Sequence, residues 1–286
     1  MSAKASFAYG LEIQRRFGAQ RGGNLAAAIS MRAFLALFPI LVLAIAVVGI
    51  FVNNPVDFAD KIVDTFGLSG DAASTITDAT RVAQKSRVAS SIVGTVGLVW
   101  TGTGLAASIT DAWNVMWRIP GGTLRGRAAG VVWLLGGGVL LVAGITATAV
   151  LGTNDWLTVL AAICGVVVDT SLFLWTGWIL PARRTSWRVM LTAAIVGGVG
   201  FGALKVVGGY VVPTLVARSS ALYGTIGTVF ALLIWMLVLG YLIVYVIVIE
   251  RVTWEHSNAT GDRTDRPPDA DQGASRSMSQ PSDDRA

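Results

Sequence analysis

Two ionisable side chains, Asp169 and Lys205, stand inside long apolar runs and could carry a proton or attract an anion. Charge is costly in hydrocarbon, so each should be paired, neutral or turned toward a wet cavity. They fall on consecutive antiparallel helices, and a rise of 1.5 Å per residue places them within about 7 Å in depth. We expect either a salt bridge that fixes helix register or a gated site for a proton or an anionic headgroup.

Small and polar residues form a stripe at alternating spacings of four and three, the period of one helix face. The stripe consists of Ser90, Gly94, Gly97, Thr101, Gly104, Ser108 and Asp111. Small residues let helix backbones approach closely within lipid, so the pattern favours a packing seam. The alternative is a polar path lined by Thr101, Ser108 and Asp111. A second stripe of small residues surrounds Lys205 and consists of Gly198, Gly202 and Gly209.

Six apolar stretches must position these residues. The chain is 53% hydrophobic and only 14% charged, against about 25% charged in soluble domains, which excludes a water-soluble fold. Each stretch is long enough to cross the hydrocarbon, which takes about 20 helical residues. We predict an all-α polytopic protein with a transmembrane domain over 33–254 and spans at Ala33–Val52, Ser90–Val115, Ala128–Leu151, Trp156–Leu180, Val189–Val212 and Gly224–Ile249.

The basic residues orient these spans, because Lys and Arg flanks stay in the cytoplasm. They are concentrated before the first span and in the second and fourth connections, whereas the third and fifth carry only Asp155 and Arg218. Both termini are therefore predicted to be cytoplasmic. The basic rim would contact anionic headgroups, so membrane lipids are the expected partners.

Three segments lie outside the predicted spans. Residues 1–32 are predicted to include an amphipathic helix on the inner leaflet, with Arg15 and Arg16 toward the headgroups. The outside segment 53–89 has apolar residues at helical spacing and is predicted to form a short covering helix. The tail 255–286 has little to bury and is predicted to be disordered.

Few residues of this sequence are candidates for catalysis or metal binding. The single His256 and the single Cys164 provide neither a metal-binding cluster nor a nucleophile with a histidine base. No phosphate-cradling loop of the Walker type is present, and basic residues are not interleaved with aromatics on a soluble surface. We therefore expect no catalytic residues, no metal, no cofactor and no nucleic-acid partner.

Several sequence elements occur together in an order that resembles one known family. The elements are Leu37-Phe38-Pro39, Trp100 with a small-residue run to Asn114 and Trp117, the connection from Pro181 to Arg188, Lys205 with Tyr210, Tyr223-Gly224, Trp235 and Glu250. Over roughly Gly22 to Arg251, the chain resembles the YihY/BrkB family of bacterial inner-membrane proteins. Glu250 closes the last span and is expected to pair with Arg251 or with the basic fourth connection.

The resemblance implies a multi-pass protein of the cytoplasmic membrane. Members have been linked to envelope lipid export, and others have been labelled ribonuclease BN. Nuclease chemistry would need a metal-binding His and Asp cluster, which this sequence lacks. Two hypotheses remain: a transporter or flippase for an anionic lipid or small metabolite, working through Lys205 and Asp169, and a non-transporting scaffold in envelope assembly. The sequence does not fix the number of subunits, and a homo-oligomer is one alternative.

Overall fold

The computed structural model describes residues 3–51, 63, 73–74, 78, 87–119, 124–151, 157–181 and 185–264, and every extended element among them is an α-helix. The helices are α1 Ala3–Ala19, α2 Gly22–Phe51, α3 Arg87–Trp117, α4 Leu124–Leu151, α5 Leu157–Ile179 and α6 Trp187–Thr264. The predicted outside helix within 53–89 and the tail after Thr264 fall largely or wholly outside the described residues.

Helix α6 contains 78 residues but is not one straight rod. Gly224 interrupts it with φ 59° and ψ −141°, a conformation that strongly favours glycine because it has no Cβ. The chain reverses there, and residues on either side pack against each other: Gly200 faces Leu242, and Gly208 faces Trp235. Residues 187–223, here α6a, and residues 225–264, here α6b, therefore form a hairpin.

Within the part of the chain that the structure describes, five helical segments are long and apolar enough to cross a membrane. They are Gly22–Leu43, Ile92–Trp117, Val159–Ile179, Trp187–Ser219 and Ile226–Asn258. The predicted third span corresponds to α4, in which the described residues provide a shorter apolar helix, Ala128–Gly144. The first segment begins at Gly22, whereas the sequence prediction began at Ala33.

Successive helices are neighbours, and α6 also packs against α2 and α3. Between α4 and α5, the indole of Trp133 donates a hydrogen bond of 3.0 Å to the Thr176 hydroxyl, and the indole of Trp175 donates to the Trp133 carbonyl at 3.3 Å. Between α2 and α6b, the backbone at Gly240 lies against Ser30 and Ala26. Helices that follow one another in the membrane domain are thus antiparallel neighbours.

The buried core is concentrated at one end of this bundle. It gathers the first turns of α2 and the last turns of α3, α5 and α6b. Its largest fully buried side chains are Ile29, Val244, Ile247, Val248 and Val252. We call this the core end; it also holds α1 and the connection between α5 and α6.

Helix α1 is docked on the core end through α6b. The Phe17 ring stacks on Tyr245 with centroids 4.4 Å apart, and Tyr9 and Thr253 share a hydroxyl hydrogen bond of 2.7 Å. Arg16, which we expected to point toward headgroups, instead pairs with Glu255. These contacts also explain why α6 continues as helix to Thr264, beyond the predicted start of a disordered tail at 255.

Large apolar side chains cover much of the remaining bundle surface. Trp100 and Tyr210 are 80% and 79% exposed, and numerous Val, Leu and Ile side chains are exposed along α3 to α6. Exposed apolar patches of such extent are rare on soluble monomers. A surface of this kind is suited to contact with lipid.

Candidate functional site

The structure brings Asp169 of α5 and Lys205 of α6a into direct contact. The Lys205 Nζ lies 2.8 Å from Oδ1 and 2.7 Å from Oδ2 of Asp169, so the ammonium bridges both carboxylate oxygens. The two side chains differ in environment: Asp169 is 4% exposed and Lys205 is 50% exposed. One charge is buried in a helix interface, and its partner is accessible from outside that interface.

On the core side of the pair, α5 and α6a pack too closely for side chains. A Cβ on Gly198 would lie 2.6 Å from the backbone nitrogen of Thr170, and one on Gly202 would lie 3.7 Å from Oδ2 of Asp169. The predicted seam along α6a is therefore present at these two positions. Glycine is needed at 198 because backbone, which cannot move aside, fills the space.

On the other side of the pair, two glycines are left uncovered. Gly165 lies one turn before Asp169 and Gly209 one turn after Lys205, which puts both on the side away from the core end. Among the described residues, no atom lies within 4 Å of a Cβ built on either glycine. We call the uncovered helix surface at Gly165 and Gly209 the notch; each glycine lies one turn from its member of the Asp169–Lys205 pair.

The stripe on α3 packs against α2. A Cβ on Gly94 would lie 3.2 Å from the backbone nitrogen of Leu43, and one on Gly97 would lie 3.1 Å from Cβ of Pro39. This arrangement matches the packing-seam interpretation of the stripe.

The polar members of the stripe stay away from the ion pair. The hydroxyls of Thr101 and Ser108 donate to carbonyls of their own helix, at Gly97 and Gly104 respectively, and Asp111 is exposed. Within the described helices, α3 makes no contact with α5. Thr101, Ser108 and Asp111 therefore do not form one site with Asp169 and Lys205.

Arg32 is an ionisable residue whose membrane position the sequence prediction missed. It was placed before the first span, but the observed span Gly22–Leu43 encloses it. Its Nη1 donates a hydrogen bond of 2.6 Å to the Gly104 carbonyl in α3. The available sequence signal was the glycine pair Gly22-Gly23, where the chain breaks after α1 and α2 begins.

Glu250 is buried at the core end, with 2% of its surface exposed. The indole of Trp113 donates to its Oε2 at 3.1 Å, and the hydroxyl of Thr185 donates to its Oε1 at 2.7 Å. Thr185 belongs to the predicted fourth connection but is neutral, and the basic Arg183 and Arg184 beside it lie outside the described residues, so the expected pairing with a basic residue there stays a prediction. Arg251 instead pairs through Nε with Glu255, at 2.7 Å.

Replacing Glu250 by Leu should lower the free energy of unfolding by about 3 kcal/mol, because two buried donors on α3 and the α5–α6 connection lose their acceptor. Glu250→Gln keeps an acceptor oxygen and should cost only about 1 kcal/mol. Thermal unfolding of both purified variants in one detergent measures the difference. Equal stability of the Leu and Gln variants would show that these two hydrogen bonds do not hold the core end together.

The remaining family-motif positions are structural or exposed. Pro39 and Trp235 line helix contacts, Gly224 makes the reversal, and the ring of Tyr210 is exposed. The Oδ1 of Asn114 is buried without a described hydrogen-bond partner. The side chain of Tyr223 lies outside the described residues.

No group of three or more His, Cys, Asp or Glu side chains is gathered closely enough for a metal ion within the described part of the chain. Cys164 is a partly buried free thiol on α5.

An all-helical bundle with membrane-length spans and an intramembrane ion pair defines a multi-pass membrane protein. The family model described as virulence factor BrkB matches residues 13–272, so the chain belongs to the BrkB family, which confirms the resemblance. It is 24% identical to the inner membrane protein YhjD of Escherichia coli K12 in a 244-residue alignment, covering 74% of this chain and 71% of the relative.

A second relative is an uncharacterized protein of Dickeya dadantii strain 3937. It is 26% identical over 243 residues, with 74% of this chain and 73% of the relative covered. No solved structure matches the chain.

Proposed function

We propose that this protein is a transporter or flippase of the cytoplasmic membrane that moves an anionic lipid or a small anionic metabolite. In this proposal the chain crosses the membrane six times, with α4 as the third span and both termini in the cytoplasm. It performs no enzymatic reaction of its own. Lys205 attracts the negative charge of the cargo, and Asp169 is its counter-ion when no cargo is bound.

The observation that supports transport is the asymmetry of the ion pair. The Asp169 side chain is buried, whereas the Lys205 side chain is half exposed, one turn from Gly209. A salt bridge that serves only helix register gains nothing from an open approach to its cation. An exposed lysine side chain can reach an anion that enters the notch, and the cost of this exchange is that the buried Asp169 carboxylate loses its cation.

The alternative function is a membrane scaffold in envelope assembly. The packing of the α3 stripe against α2 favours it, because this stripe was the strongest sequence candidate for a transport path. In a scaffold, the Asp169–Lys205 pair would hold α5 and α6a in register and would have no other role.

A reconstituted transport assay separates these functions. The purified protein is placed in liposomes with fluorescent phosphatidylglycerol or, as the zwitterionic control, fluorescent phosphatidylcholine, and movement between leaflets is followed by chemical quenching; parallel vesicles report flux of small anions. The double variant Asp169→Asn/Lys205→Met removes both charges without stranding either. We expect it to lower anionic lipid or anion movement at least about tenfold, equivalent to about 1.4 kcal/mol.

A second variant, Gly209→Leu, fills the notch and leaves the ion pair intact. It should reduce movement as well if cargo enters there, whereas a scaffold would be indifferent to it. Wild-type rates in both variants would rule out the proposed site. Absence of movement in the wild type for every lipid and anion would favour the scaffold.

A further inference from the structure

A cleft of about 460 Å³ opens at the core end between α1, the end of α3 and the last turns of α6b. Four arginines line it, namely Arg15, Arg16, Arg118 and Arg251, together with Glu12 and Glu255. The cleft is distant in sequence and in the fold from Asp169 and Lys205. Its lining has two more positive than negative side chains.

Two of the four arginines are committed to internal contacts. Arg16 pairs with Glu255 and, at 3.0 Å, with Glu12, and its hydrogen bond to Glu255 raises the pKa of the guanidinium. Arg251 also pairs with Glu255, and its guanidinium lies 4.8 Å from the ring centroid of Trp117 and 4.9 Å from that of Trp254. These contacts fix one wall of the cleft.

Arg15 and Arg118 have no ion pair or side-chain hydrogen bond among the described residues, and both are exposed. They come from different helix ends, α1 and the residue after α3, and both line the same cleft. Gln20, also in the lining, has a buried Oε1 without a described hydrogen-bond donor. This oxygen is too deeply buried for a ligand to reach, so the cleft offers two uncommitted cations.

We propose that this cleft binds a phosphate group, carried either by a lipid headgroup or by a small soluble metabolite. Arginine presents planar N–H donors that match phosphate oxygens two at a time, and charge-assisted hydrogen bonds of this kind are about twice as strong as neutral ones. Arg15 and Arg118 hold the phosphate. The volume suits a headgroup and excludes a complete diacyl lipid.

This site is independent of the transport proposal. It requires no movement of cargo. Its ligand contacts α1 and the end of α3 together, so binding would strengthen the docking of α1.

Binding to the purified full-length protein in detergent tests the site. The probes are glycerol 3-phosphate and dioctanoylphosphatidic acid, which share the phosphate, and dioctanoylglycerol, which lacks it. We expect Arg15→Ala/Arg118→Ala to weaken binding of the phosphate probes at least tenfold. Binding of both phosphate probes identifies a soluble phosphate site, and binding of the lipid probe alone identifies a headgroup site.

The matched control is Arg188→Ala, which removes an exposed arginine at the same end of the bundle but outside the cleft. It should bind like the wild type, whereas Arg15→Lys/Arg118→Lys, which keeps the charges without the planar fork, should be intermediate. Equal weakening by Arg188→Ala would mean general surface charge and would overturn the proposal. No phosphate-dependent binding in the wild type, or wild-type binding in the double Ala variant, would overturn it too.

Discussion

Replacing Lys205 by Met should destabilise the protein by about 3 kcal/mol, whereas replacing Asp169 by Asn should cost about 1 kcal/mol. The difference follows from burial: the Asp169 side chain is 4% exposed and the Lys205 side chain is 50% exposed. Without Lys205, a buried carboxylate loses its only described cation. Without the Asp169 charge, the ammonium keeps an amide oxygen as acceptor and can still reach solvent or headgroups.

The double variant Asp169→Asn/Lys205→Met provides the control for this prediction. It should recover most of the stability lost in Lys205→Met, because no charge is left unpaired, and the non-additivity measures the coupling between the two residues. The measurement is the melting temperature of each variant in one detergent, read from the monodisperse fraction after heating. A Lys205→Met variant as stable as the wild type would show that burial of Asp169 does not require its partner.

Replacing Gly198 by Ala, which adds one methyl group, should lower the free energy of unfolding by about 3 kcal/mol. The new Cβ would lie 2.6 Å from the backbone nitrogen and 2.7 Å from Cα of Thr170. Overpacking costs about 1–3 kcal/mol even where side chains can adjust, and here helix backbone blocks the adjustment. Helix α5 would have to move away from α6a, which also separates Asp169 from Lys205.

Gly209→Ala is the matched control, on the same helix and close to the same face. No described atom lies within 4 Å of its added Cβ, and alanine is favoured over glycine in a helix by up to about 1 kcal/mol. This variant should be as stable as the wild type or slightly more stable. Melting curves that rank Gly209→Ala below Gly198→Ala would contradict the described contact between α5 and α6a.

Much of the fold could be predicted from the sequence, because apolar composition and helical spacing extend over long stretches. Helices overlap every predicted span, since about 20 apolar residues leave no other structure for the backbone in lipid. Helical rise alone also predicted that Asp169 and Lys205 could pair. Two opposite charges at similar depth in adjacent antiparallel helices lower their free energy in lipid by pairing. The seam on α3 followed in the same way from its spacing.

Local contacts were less predictable. Helix α2 begins directly after the positive φ at Arg21, earlier than the predicted span, and its apolar segment Gly22–Leu43 therefore includes Arg32. The partners of Glu250 came from α3 and from Thr185, so sequence proximity to Arg251 was a poor guide. The notch could not be foreseen, because glycine spacing identifies a helix face but does not indicate whether a neighbour covers it: Gly198 is covered and Gly209 is open.

The reversal at Gly224 fixes the length of the hairpin made by α6a and α6b. Each residue inserted into or deleted from a helix turns everything beyond it by about 100°, since there are 3.6 residues per turn. With no long loop to absorb such a change, an insertion between Gly224 and Gly240 would rotate Val244, Ile247 and Val248 out of the core end. A change of length in α6b is therefore expected to disturb the core end many residues away from the site of the change.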